Sequence, residues 1–122
     1  MKKELEQYFG CKVKIAEYKN KLPLPIFMTM RDIVMVEIYG VTFAIIDVMK
    51  ETELSVAAMK KQKAKYEEAL QCPVAYEVAI NNVSMRNALV KSGVPFVNLP
   101  GNVFLPFMGI VLQDVYRKQL VK

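Results

Sequence analysis

The 122-residue sequence contains no histidine. Its absence removes the commonest general acid and base, the commonest zinc ligand, and every Ser/His/Asp or Cys/His triad. Cysteine is nearly as scarce: Cys11 and Cys72 are the only two, and neither has a second member of a CxxC pair nearby. No metal site and no cofactor are expected from that inventory, and the thiols read as reduced ones in a cytoplasmic protein. Arginine is sparse, with only Arg31 and Arg86 in the first hundred residues. Arginine is the residue that forks onto guanine edges and phosphates, so this domain is not expected to read DNA sequence by itself. No apolar run reaches the roughly 18 residues that a bilayer demands. The start, Met1-Lys-Lys-Glu-Leu-Glu6, is charged where a signal peptide turns apolar. A membrane location is therefore not expected. Gly-rich phosphate loops and dinucleotide fingerprints are missing as well.

What remains is material for a core. Hydrophobic residues make up 53% of the chain, with six Tyr and six Phe, which is enough for one self-supporting domain and rules out disorder by composition. Seventeen Lys and Arg against twelve Asp and Glu give a net charge of +5. The lysines gather near the N-terminus and again at Lys60, Lys61, Lys63 and Lys65, where Glu67 and Glu68 dilute them at once. We read both groups as solvated faces.

Periodicity supplies an order of elements. Leu5, Tyr8 and Phe9 fall at helical spacing and stop at Gly10, a natural left-handed cap. From Cys11 to Tyr18 the pattern alternates with period two, as in an edge strand. Two β-branched runs, Ile33 to Tyr39 and Val41 to Val48, meet at Gly40 as a hairpin, with Ile26 to Met30 as a further strand completing a meander of three. Glu51, Thr52 and Glu53 introduce a helix through about Gln71, capped by Thr52 or Ser55, with Glu53 complementing its positive end. Val56, Met59, Lys63, Tyr66 and Leu70 share one face of it. Pro73 ends the helix, and Val74 to Ile80 reads as a buried strand parallel to its predecessor, because a crossover of this length suits parallel pairing. Ser84 caps a short helix that stops at Ser92-Gly93, and Val94 to Asn98 and Val103 to Phe107 flank a Pro100-Gly101-Asn102 turn. The fold class is α/β with a mixed sheet, in the order α-β-β-β-α-β-α-β-β. Residues 1–112 form a single domain, and 113–122 read as a linker or the first turns of a helix.

That order is also the core order of the restriction-endonuclease-like nucleases, which hold a divalent metal with an acidic residue on the second core strand and (Asp/Glu)-x-Lys on the third. The third strand here ends in Asp47-Val48-Met49-Lys50. Carboxylate and lysine must lie two residues apart to share a strand face, and Asp47 to Lys50 is three, with Met49 in the lysine place. Asp32 or Glu37 would be the upstream carboxylate. Glu37, Asp47 and Lys50 thus stand as weak relic nuclease candidates, while the polar mouth of a strand-to-helix turn is the simpler account of Asp47, Lys50 and Glu51. Glu77, in an otherwise apolar strand, is a carboxylate either raised in pKa by burial or paired with a basic neighbour. The methionines Met28, Met30, Met35 and Met49 fill core space or line an adaptable ligand surface.

The stretch Ser84-Met-Arg-Asn-Ala-Leu-Val-Lys-Ser-Gly-Val-Pro-Phe-Val-Asn-Leu-Pro-Gly-Asn-Val-Phe-Leu-Pro-Phe-Met-Gly-Ile110 is the most distinctive in the chain. With Leu22-Pro-Leu-Pro-Ile26, Glu37-Ile-Tyr-Gly40 and the helix before Pro73-Val74, it resembles the N-terminal domain of bacterial MarR-type winged-helix transcriptional regulators over nearly the whole chain. The resemblance implies a non-enzymatic regulatory or dimerisation domain, sensing a ligand or protein partner. It also implies homo-oligomers, with DNA contacted only through a winged-helix domain that would follow Gln113. No catalytic or ligand residues carry over. From the residues themselves, Arg86, Asn87 and Lys91 on the polar side of the short helix, and a pocket side near Met49 and Tyr76, are the binding candidates. A metal-dependent nuclease-fold enzyme or its inactive relic, and a stand-alone interaction module, remain the alternatives.

Overall fold

The computed structural model describes residues 1–18, 30–80, 82–99, 102–108 and, as backbone alone, 110–114. Helix α1 (Lys2–Phe9) is followed by strands β1 (Lys14–Glu17), β2 (Ile33–Ile38) and β3 (Val41–Asp47), helix α2 (Val56–Leu70), strand β4 (Val74–Glu77), helix α3 (Val83–Lys91), and strands β5 (Phe96–Asn98), β6 (Asn102–Leu105) and β7 (Ile110–Asp114), with a 3₁₀ turn at Pro106–Met108. All seven strands form one sheet in sequence order. β1, β2 and β3 are antiparallel, β3, β4 and β5 run parallel, and β6 and β7 return antiparallel. The expected mixed α/β sheet and its first nine elements are therefore present.

Strand alternation divides the core into two layers. Ile33, Ala44, Ile46, Val74, Tyr76 and Phe96 face α2 and α3, where they meet Met59, Tyr66 and Leu89. Val36, Phe43, Ile45, Ala75 and Val97 face the other way onto Leu5, Tyr8 and Phe9 of α1. β3 is buried continuously from Phe43 to Ile46 because both of its faces are covered, as central parallel strands require.

Local chemistry sets the boundaries. Gly10 closes α1 in the left-handed region (φ 69°) and donates to the Glu6 carbonyl at 2.8 Å. The β2–β3 connection is just Tyr39-Gly40, both with positive φ (53° and 78°), the conformation that a tight hairpin needs to match strand twist. A tyrosine there costs on the order of 1–2 kcal/mol. It is held by its hydroxyl, which donates to the Phe9 carbonyl at 2.7 Å, and by edge-to-face contact with the Phe9 ring. The strained turn thereby satisfies a carbonyl at the end of α1 and ties that helix to the hairpin.

Several expectations are corrected. Lys14–Glu17 pairs with β2 and completes a three-stranded meander; of the further strand expected at Ile26 to Met30, residues 26–29 lie outside the described residues and Met30 is an exposed turn residue. Ser55, not Thr52, caps α2, accepting from Ala58 N–H at 3.0 Å, which leaves Glu53 outside the helix and away from its first turn. α2 closes on Gln71 in the left-handed region, two residues before Pro73. Asn82, not Ser84, caps α3, because its carboxamide reaches Met85 N–H at 2.8 Å. Gln113 and Asp114 are strand residues paired with Val103 and Asn102, not the start of a helix; 115–122 lie outside the described residues.

Candidate functional site

β3 and β4 are parallel with Asp47 beside Glu77, so both strands end at one level. There the chain must turn twice, through residues 48–55 into α2 and through 78–82 into α3. The carboxyl ends of parallel strands, facing helix N-termini, are where α/β sheets open crevices. A cavity of about 420 Å³ occupies this position, inside the roughly 300–1,000 Å³ range of small-molecule sites. Val48, Leu54, Val56 and Val78 supply aliphatic walls, and Met49, Met59 and Met85 supply three thioethers. Thr52, Ser55, Ala79, Ser84 and the Glu51 carboxylate complete the lining.

Half of this wall is the loop between β3 and α2, and three contacts fix it. Asp47 accepts from Met49 N–H at 2.9 Å, making the first turn. Ser55 caps α2. Arg31, just before β2, grips both Glu51 carboxylate oxygens through Nε (2.7 Å) and a terminal nitrogen (2.6 Å), and also reaches Gln62 (2.6 Å) and Tyr66 (3.2 Å) on α2. Burial works against the guanidinium charge, but the hydrogen bonds to Glu51 and Tyr66 outweigh it and raise the Arg31 pKa. The Arg31 guanidinium is therefore held ionised, and it pairs with Glu51 on the cavity wall.

On the opposite face a second hollow of about 380 Å³ lies beside the start of α1. Asp32, Asp47 and Glu77 line it with Lys2, Ile15, Val34 and Ile45. Burial, then the adjacent Asp47 charge, pushes the Glu77 carboxyl above its ordinary value. No ion pair forms on Glu77 among the described residues. Among them, too, no group of three or more Asp, Glu or Cys is gathered closely enough to hold a metal ion.

The structure distributes the sequence candidates unevenly. Glu37 pairs with Thr42 and Lys14 near the hairpin turn, on the order of 17 Å along the sheet from Asp47 at about 3.3 Å of rise per residue. Asp32 is the carboxylate brought next to Asp47, whose N–H donates to the Asp32 carbonyl at 3.0 Å. Lys50 is exposed in the turn beyond β3. Met49 lies on the cavity rim, 46% exposed. Tyr76 is wholly buried beneath α2, donating to the Met59 carbonyl at 2.8 Å, so it belongs to the core and does not line the cavity. Its hydroxyl pKa is raised by burial. Asn87 and Lys91 are exposed on α3, one turn apart, whereas Arg86 is half-buried with its Nε enclosed and without a hydrogen-bond partner among the described residues. Burial raises the Cys72 thiol, the opposite of what a reactive cysteine needs.

Comparison with protein-family models, with curated proteins and with solved structures finds no match for this chain. The cavity residues Leu54, Met59, Val78 and Met85 were not singled out as site residues by sequence pattern. The available signal was the pair of crossovers β3–α2–β4–α3, which puts two turns and two helix starts at one end of adjacent parallel strands. Among the described residues no helix is long and apolar enough to cross a membrane.

Proposed function

We propose that this chain is a non-enzymatic regulatory domain that senses a small ligand in the cavity at the ends of β3 and β4. The observation that carries this reading is an apolar, methionine-lined cavity whose wall is a loop held by one ion pair. In the same reading it is the sensing and dimerisation part of a bacterial transcriptional regulator of the MarR-type winged-helix kind, with DNA contact made by a separate winged-helix unit. The distinctive 84–110 stretch supports that assignment through α3, which forms one side of the cavity, and through β5 and β6. The test is direct: with methyl-labelled methionine, a small-molecule extract of bacterial cells shifts Met49, Met59 and Met85 and leaves Met35 in place. The same protein leaves plasmid DNA intact in magnesium or manganese.

A second reading has its own observation. The arrangement α1-β1-β2-β3-α2-β4, with β4 parallel to β3, agrees with a restriction-endonuclease-like core, and Asp32, Asp47 and Glu77 share one hollow. In this reading the chain is a nuclease or its relic. Metal-dependent cleavage abolished by Asp47→Ala would establish it and overturn the sensor.

A further inference from the structure

We infer that the ligand of the β3/β4 cavity is an uncharged, largely apolar molecule, an aromatic ring system or one of similar shape. This inference rests on the sensor reading and specifies its ligand. It follows from what the wall offers to charge. Among the described residues no lysine or arginine lines the cavity, so a carboxylate or phosphate would find no side-chain counter-ion among them. Burying such a group unpaired is strongly unfavourable. At the two helix starts facing the cavity one N–H of each is already taken from within, Ala58 by Ser55 and Met85 by Asn82. A cationic ligand fares no better. Among the described residues Glu51 is the only acidic group on the wall, and both of its oxygens are engaged by Arg31.

What the wall does offer is soft surface. Thioethers adapt their shape and make favourable contacts with aromatic rings, worth about 0.3–1.5 kcal/mol each. Three of them, with Leu54 and Val78, suit a flat apolar body. The hydroxyls of Thr52 and Ser84, both on exposed residues, stand where a neutral polar substituent would meet solvent. Met49 extends the apolar surface outward, 46% exposed.

The experiment compares two probes of one ring skeleton, N-phenyl-1-naphthylamine, which is neutral, and 1-anilinonaphthalene-8-sulfonate, which is anionic. Both are titrated by fluorescence into the full chain and into two cavity-filling variants, Ala79→Phe and Ser84→Phe. Methionine methyl spectra locate the probe. The second variant alters an exposed rim position, so a folded blocked form is obtained even if Ala79→Phe fails to fold. The expected result is saturable binding of the neutral probe at least tenfold tighter than the anionic one. Binding should fall at least fivefold in a folded variant, and the Met49, Met59 and Met85 methyls should shift. If the anionic probe binds equally or more tightly at those methionines, the ligand class is overturned while the sensor reading stands. If neither probe moves those methyls, both fall. Neutral-probe binding unchanged in the filled variants would place the probe elsewhere and overturn the inference.

Discussion

Replacing Arg31 by methionine tests whether the cavity wall is held as described. The Arg31 side chain is 11% exposed and that of Glu51 36%, so the pair is neither a solvated surface bridge nor a fully buried one. Exposed pairs contribute about 0–1 kcal/mol. Hydrogen bonds to charged groups reach about 1.5–3 kcal/mol. The bidentate grip on Glu51, with added bonds to Gln62 and Tyr66, belongs in the upper part of the second range, and we expect Arg31→Met to cost about 2–3 kcal/mol. Methionine retains the apolar stem, so the loss is mostly polar. For a domain of this size, about 3–5 °C of melting temperature accompanies each kcal/mol, or on the order of 10 °C in all. Chemical denaturation gives the free energy, and a double-mutant cycle with Glu51→Gln isolates the pair, whose coupling should be on the order of 1 kcal/mol. A loss under about 0.5 kcal/mol, or zero coupling, would refute the view that this ion pair holds the loop.

Tyr76→Phe removes a buried hydroxyl bonded to the Met59 carbonyl and should cost about 1 kcal/mol, read by denaturant midpoint at unchanged slope. Ser55→Ala and Asn82→Ala should each cost about 1 kcal/mol through lost caps, whereas Ser84→Ala should be near neutral, since it is not the cap of α3. Glu77→Gln should stabilise the protein at pH 7 and have no effect near pH 4. The folded-state pKa of Glu77 is raised, so the native state holds its proton more tightly than the unfolded chain, and stability falls as pH rises from the ordinary carboxylate value through the folded one. Melts of both proteins across pH 4 to 8 check the sign, and a stabilisation independent of pH would refute it.

Much of the fold was legible because it depends on short-range rules. Leu5, Tyr8, Phe9 and Gly10 specify α1 and its end by spacing and conformation alone, and Gly40 between two β-branched runs specifies the hairpin. The length of 49–73 requires a crossover, hence a parallel β4. Boundaries failed where two residues competed for one task. Asn82 and Ser84 are both good caps, and only the path from β4 decides which one reaches Met85 N–H. The candidate site was hardest to read because its contacts are long-range. Arg31 meets Glu51, Gln62 and Tyr66 across 20 to 35 residues of sequence, and no periodicity encodes that meeting. Met49 was legible as an exposed apolar residue at a strand end. Tyr76, inside β4, was misjudged because strand parity sends it beneath α2, where its hydroxyl finds a carbonyl instead of an opening.

The measurement that bears most directly on the sensor reading is the methionine methyl spectrum during titration with the neutral naphthylamine. The expected result is a saturable shift of Met49, Met59 and Met85 with Met35 unmoved, lost when Phe replaces Ala79 or Ser84. Unmoved cavity methyls at saturating probe, or the same shifts in the filled variants, would contradict a ligand site between α2 and α3.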